Sequence, residues 1–372
     1  MKKFAKMSLV AAVVVAGFTS TVSAQNLAET ASEVDVFGYV NIRYDDINVK
    51  NTGANANSNT YTHKTVLGAS GNINDDLTYT GAVTEFQADT GAANYAASTL
   101  MVYNYFTYTG IANTAISAGR QGIASPLTVV YDPATGTSEG NGIVATSKVG
   151  PVSLTAVYFS GHDFSVAGVA DNTLLPTNTA GTTKAITGSE NYISIGAAAK
   201  VGPVSLDLWF AQMAEMYDTV TVGASGTFKA GDVAITPSLR YTTTDIDNVS
   251  ADQSLIKGGL KLKAGIFGAS IEYGETDKQG GWVAHDKDAS AALSGWTQTL
   301  LGKADSEAFK GNINVDLTPK LNLSVVYFDL TRPTGVEEVE ETFVTLNYKM
   351  SSNFSAYVRY GEIDYTGGTT SD

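Results

Sequence analysis

The 372-residue chain contains no cysteine, only three histidines and eight prolines. With no cysteine there is no disulfide framework, so an exported form of the chain must be held together by other means. The histidines, His63, His162 and His285, share no metal-ligand or triad spacing, and although Asp163 follows His162, no serine stands out as a third member. Gly258-Gly259 and Gly280-Gly281 lack the context of a phosphate-binding loop. The chain therefore reads as no enzyme. Basic residues are scarce too: 23 Lys and Arg stand against 37 Asp and Glu, a net charge of −14. Such acidity argues against a nucleic-acid partner. Mean hydropathy is −0.01. After residue 24 no apolar run of about 18 residues occurs, which excludes helical membrane spans.

The one long apolar stretch lies at the start. Lys2, Lys3 and Lys6 precede an apolar run from Met7 to Phe18, and Val22-Ser23-Ala24 closes it with small residues. A basic head, a short apolar middle and a small-x-small exit describe a secretory signal peptide over residues 1–24, cleaved after Ala24. Its removal leaves 20 bases against 37 acids, a balance of −17. In a water-filled passage that balance favours cations where the acids face the passage.

What the rest of the chain has is rhythm. From about Val34 to Tyr365, segments of roughly ten residues alternate apolar with polar or small residues. Val204-Ser205-Leu206-Asp207-Leu208-Trp209-Phe210 is one, and Leu321-Asn322-Leu323-Ser324-Val325-Val326-Tyr327 is another. Period two means strands with two unlike faces. Seventeen such strands can be read, from 34–46 to 352–365. Short turns rich in Gly, Pro, Asn and Asp join them on one side, as at Gly150-Pro151, Gly202-Pro203 and Ala264-Gly265. Lys148-Val149-Gly150-Pro151-Val152-Ser153-Leu154 recurs as Lys200-Val201-Gly202-Pro203-Val204-Ser205-Leu206. Longer connections, read as polar, fall at 47–59, 88–97, 122–139, 162–188, 245–252, 276–304 and 332–339, with 214–216 barely a turn. Behind an export signal, an all-strand chain with short turns on one rim and long loops on the other is expected to be an outer-membrane antiparallel β-barrel over residues 25–372. Such barrels have an even number of strands. The chain ends in a loop-like Thr366–Asp372 tail, so 16–18 strands are expected, with an eighteenth, descending strand missing.

Alternation also assigns faces. In the first strand Val34, Val36, Val40, Ile42 and Tyr44 share the lipid side, while Asp35, Tyr39, Asn41 and Arg43 share the wet side. The same test sends Asp207, Arg240, Lys257, Lys261, Lys263, Glu272, Lys310, Asp316 and Arg359 inward, because a charge at the lipid midplane costs about 2–4 kcal/mol. Tyr44, Tyr61, Tyr103, Tyr105, Tyr158, Phe159, Tyr241, Tyr327, Phe328, Tyr348 and Tyr360, near strand ends, read as aromatic girdles. The third long loop follows Arg120 and carries Asp132 and Glu139; it is expected to fold inward over about 122–139. Facing Arg43, Arg120, Arg240 and Arg359, its acids would set up a constriction with a transverse field. Two alternatives stay open: a surface adhesin displaying 162–188 and 276–304, and a substrate-selective channel.

Three blocks resemble a known family. Glu33–Asp46 (EVDVFGYVNIRYDD), Tyr105–Gly122 (YFTYTGIANTAISAGRQG) and Glu139–Tyr158 (EGNGIVATSKVGPVSLTAVY) are similar to the major outer membrane protein porins of Campylobacter and its epsilonproteobacterial relatives. The resemblance implies an 18-stranded barrel in the bacterial outer membrane, assembled as a homotrimer. It also implies a general diffusion channel that passes ions and small hydrophilic solutes and prefers cations. It requires no cofactor, although some relatives hold calcium at the constriction; no ligand set for that ion is carried over to this chain.

Overall fold

The computed structural model describes residues 34–49, 56–89, 98–130, 138–164, 186–247, 252–333 and 338–366. The expected signal peptide, Asp132 and the tail beyond Thr366 lie outside the described residues. Among the described residues eighteen strand elements follow one another, beginning with β1 (Val34–Val49), β2 (Ala56–Asn74), β3 (Leu77–Asp89), β4 (Ser98–Ile111), β5 (Thr114–Gly122) and β6 (Glu139–Val149). Next come β7 (Val152–His162), β8 (Tyr192–Val201), β9 (Val204–Met213), β10 (Tyr217–Gly226), β11 (Phe228–Ala230) and β12 (Val233–Ile246). The last six are β13 (Gln253–Ala264), β14 (Phe267–Thr276), β15 (Glu307–Thr318), β16 (Leu321–Thr331), β17 (Glu338–Lys349) and β18 (Ser355–Thr366).

The eighteenth element does not come from the C-terminal end. The run read as one strand at 217–229 is interrupted at Thr227, which gives β10 and β11. Both pair with β12 in the same register, Ser225 opposite Ser238 and Phe228 opposite Ile235. That register sets Pro237 against Gly226, and a proline has no N–H to give to the ladder. Elsewhere the strands run past their expected ends: β1 and β2 pair as far as Val49 opposite Ala56, inside the connection read at 47–59.

The residues fall into two compact units. The first holds β1 to β5, most of β6 and the end of β7. In it each ladder joins sequence neighbours, from β1–β2 to β5–β6, all antiparallel. The second holds residues 124–129, 148–156 and everything from Phe164 onward. Its ladders run β8–β9, β9–β10, then through β12 to β18 in sequence order, again all antiparallel.

Exposure follows the alternation. On β10, Val220 and Val222 are 42% and 47% exposed, while Thr219 and Thr221 are 2% and 0% exposed. Leu206, Leu208 and Phe210 on β9, Ile256, Leu260 and Leu262 on β13, and Val344 and Leu346 on β17 repeat the exposed apolar side. Water would penalise such a surface at about 25 cal/mol per Å²; lipid solvates it. The aromatic assignments split by parity. Tyr44, Tyr61, Tyr158, Tyr241, Tyr327, Tyr348 and Tyr360 are exposed, but Phe159 and Phe328 are fully buried. Each phenylalanine directly follows an outward tyrosine, so the pleat turns it to the opposite face.

The short turns obey their chemistry. Gly150 and Gly202, in the repeated seven-residue motif, both sit at φ +59°, a left-handed conformation that favours glycine. Asn113 takes φ +58° at another short turn, as asparagine tolerates.

Candidate functional site

Registered antiparallel partners point their side chains to one face, so the ladders of the second unit gather inner residues into rows. One row runs Asp207, Gly223, Arg240, Lys257 and Gly274, from β9 to β14. Another runs Gly259, Glu272, Lys310, Phe328 and Glu341, from β13 to β17. In the first row Arg240 reaches across Gly223 to Asp207. Its two terminal nitrogens donate to the two carboxylate oxygens at 2.9 and 2.8 Å, and Nη1 also donates to Thr221 Oγ1 at 3.0 Å. This is the paired, fork-to-fork geometry that makes Arg–carboxylate contacts strong. A Cβ on Gly223 would fall on both partners, so only glycine leaves the span open.

Against this wall lies the connection 277–306. Expected to be a polar surface loop over 276–304, it is instead largely buried, with Trp282, Val283, Ala284, Ala291, Ala292, Leu293, Leu300 and Leu301 among the core residues. These side chains are apolar at irregular spacing, so no strand or helix period marks them, yet together they need cover. Gly274 makes room for Leu293 and Leu300. A small turn folds residues 293–300 back on themselves, with Leu300 N donating to Leu293 O at 2.9 Å and Gly295 N to Gln298 O at 2.9 Å.

Strand side chains grip this turn by its backbone. Lys257 Nζ donates to Ala292 O at 2.5 Å and Lys310 Nζ to Ser294 O at 2.6 Å. Glu341 is 1% exposed, and its carboxylate accepts from Trp296 N at 2.6 Å, Thr297 N at 2.8 Å and Thr297 Oγ1 at 2.8 Å. Arg359 on β18 donates to Thr345 Oγ1 at 2.9 Å and lies 5.1 Å from the Trp296 ring and 4.9 Å from that of Phe343. Farther along, Tyr217 OH and His285 Nε2 are 2.7 Å apart, with Trp282, Tyr192 and Phe164 rings around the imidazole. The start of the third long loop joins the same body: His285 N donates to Leu127 O at 2.9 Å and Ala291 N to Pro126 O at 2.8 Å. Between wall and segment is a cavity of about 430 Å³, lined by Arg240, Lys257, Lys287, Lys310, Asp207, Glu272 and Asp288 among others.

The first unit carries its own charge cluster. Arg120 Nη2 meets Asp163 Oδ2 at 2.6 Å and Glu139 Oε2 at 4.0 Å, while Nε donates to Met101 O at 2.8 Å. Glu139 opens β6 and is 2% exposed; its own N–H donates to Asp163 Oδ1 at 2.7 Å. Arg43 pairs locally with Asp45 at 2.7 Å. Of the remaining residues read as inward, Lys263 and Asp316 pair at 2.6 Å near the short-turn end, and Lys261 stands opposite Ser270. Sequence reasoning missed Lys287, Asp288 and Trp296; it takes the acid run at 337–341 for a solvated rim, but Glu341 is buried. The apolar residues scattered through 282–301 were the signal that this connection is inside. Among the described residues no group of three or more His, Asp or Glu is placed to hold a metal ion.

The family model described as Campylobacter major outer membrane protein matches residues 1–299. No curated protein sequence matches the chain. Among solved structures, a BenF-like porin from Pseudomonas fluorescens Pf-5 aligns at a TM-score of 0.73 and 13% identity, covering 91% of this chain and 95% of that one. OccK2 (OpdF) of Pseudomonas aeruginosa, crystallised in complex with glucuronate, aligns at 0.71 and 13%, covering 90% and 94%. The outer membrane protein opdK of the same organism aligns at 0.70 and 14%, covering 90% and 94%. At these identities the likeness establishes the fold, that of outer-membrane porins.

Proposed function

The chain belongs to the Campylobacter major outer membrane protein family, and from that premise we propose that it is a passive diffusion channel selective for cations. It is an outer-membrane channel protein rather than an enzyme; the finer reading is that ions and small hydrophilic solutes pass down their gradients through a lumen lined by the inner strand faces. One observation carries this: charged side chains such as Asp207, Arg240, Lys257, Glu272 and Lys310 occupy the face opposite an exposed apolar band. Charges on that side are tolerable where water reaches them or where hydrogen bonds and ion pairs compensate them. The acidic balance of the chain supports cation preference. Export through a signal peptide cleaved after Ala24 and assembly as a homotrimer complete the proposal.

A substrate-selective channel is the second reading, supported by the packed segment 277–306 and the cavity it shares with the wall. The adhesin reading loses one of its two display loops, since 276–304 is mostly buried. Purified protein in planar bilayers is expected to give stepwise conductance with reversal potentials favouring cations. Anion preference would overturn the selectivity, and absence of steps the channel itself.

A further inference from the structure

The charges around the 430 Å³ cavity are unequally committed. Arg240 gives both terminal nitrogens to Asp207. Lys257, Lys287 and Lys310 each donate one hydrogen bond to a backbone oxygen, of Ala292, Trp296 and Ser294 respectively. An ammonium carries three donors, so each lysine keeps two. Glu272 and Asp288, in contrast, make no side-chain hydrogen bond or ion pair among the described residues. Open acids and open ammonium donors therefore alternate: Glu272 stands in register with Lys310, and Asp288 follows Lys287 on the facing segment.

A purely anionic solute in this cavity meets two carboxylates that accept no hydrogen bond among the described residues, and a purely cationic one meets three ammonium groups. A solute bearing both charges satisfies both sets. The volume lies at the small end of ligand pockets, which span about 300–1,000 Å³; it suits an amino acid or a dipeptide better than an oligosaccharide. Resting on the channel reading above, we propose that the cavity is a binding subsite for zwitterionic amino acids and dipeptides. Their ammonium group faces Glu272 and Asp288, and their carboxylate faces Lys257, Lys287 and Lys310. Solutes bound there cross by a saturable route, while ions that do not bind follow bulk diffusion.

The test uses the full chain in proteoliposomes, with uptake of labelled L-glutamine, and the same preparation in planar bilayers with KCl. Glutamine flux should saturate and be competed by glycylglycine, but not by glucose, acetate or methylammonium. The Glu272→Gln/Asp288→Asn double variant should raise the half-saturation concentration about tenfold, as loss of charged hydrogen-bond acceptors does. Its circular dichroism should match the parent. If the double variant does not fold, Asp288→Asn alone carries the test, with a rise of roughly threefold. Flux strictly proportional to concentration, equal competition by acetate or methylammonium, or an unchanged half-saturation in the folded variant would each overturn the subsite and leave the channel standing. Absence of KCl conductance in the parent would overturn the channel reading and the subsite with it.

Discussion

Two stretches of the inner wall reach burial by opposite chemistry. Where β10 faces β12, hydroxyls meet across the ladder: Thr219 and Thr244 lie 2.9 Å apart, Thr221 and Thr242 2.7 Å. Where β16 faces β17, the inner side is Val326, Phe328, Leu330 and Phe343, closed over by Trp296 with its ring centroid 5.9 Å from that of Phe343. In the first case each buried polar group finds its partner in the neighbouring strand, as burial demands. In the second, the 277–306 segment supplies the apolar cover. Outside both stretches the face is equally apolar, with Val220 and Val222 on one and Val325 and Val344 on the other. Period two therefore identifies which residues share a face, whereas polarity alone does not say which face is the interior.

The comparison can be broken most severely at Phe328. Its replacement by alanine should destabilise the protein by about 3–5 kcal/mol, because it empties a fully buried site under the segment; thermal unfolding in detergent checks this. An unchanged midpoint would mean the segment does not seat there. On the outer face, Val222→Lys should cost about 2–4 kcal/mol if lipid touches the middle of β10, and much less if water does. Folding yield into vesicles, titrated with urea, separates the two. Glu341→Ala strips three hydrogen bonds from the turn at Trp296 and Thr297. It should cost about 1–3 kcal/mol and expose the 293–300 turn to protease, while sites on β10 stay protected.

The smallest effect concerns pH. Glu190 lies outside the strands; burial alone would push its carboxyl up, but hydrogen bonds from Thr187 and Gly188 win and hold it below the usual carboxylate range. A depressed carboxyl contributes stability above its unfolded value, and that contribution is lost as pH falls through the folded one. The protection factors of the amides at 187–188, with intrinsic exchange divided out, should therefore fall only on the acid side of the ordinary carboxylate range and stay flat from there to neutrality.

Much of the architecture was legible because it depends on local rules. The repeated Lys-Val-Gly-Pro-Val-Ser-Leu motif announces its turn, and Gly150 and Gly202 adopt the same φ. Strand parity could be read from single segments such as 204–210. Legibility failed where partners had to be known. Asp207 and Arg240 were both placed on one face, but their pairing across Gly223 depends on the register of three strands. The buried connection escaped because its apolar residues follow no period, and long connections are ordinarily solvent-facing. Phe159 and Phe328 were grouped with their tyrosine neighbours by chemistry, when the pleat had already separated them.

The grip of Lys257, Lys310 and Glu341 falls on peptide oxygens and nitrogens of Ala292, Ser294, Trp296 and Thr297. Every residue type other than proline offers those same main-chain atoms. The three wall side chains therefore do not depend on which side chains stand at Ala292 and Trp296, whereas Ser294 is tied to the turn a second time through its hydroxyl, which donates to Lys287 O at 2.6 Å. The clamp is fixed in the wall and holds main-chain atoms.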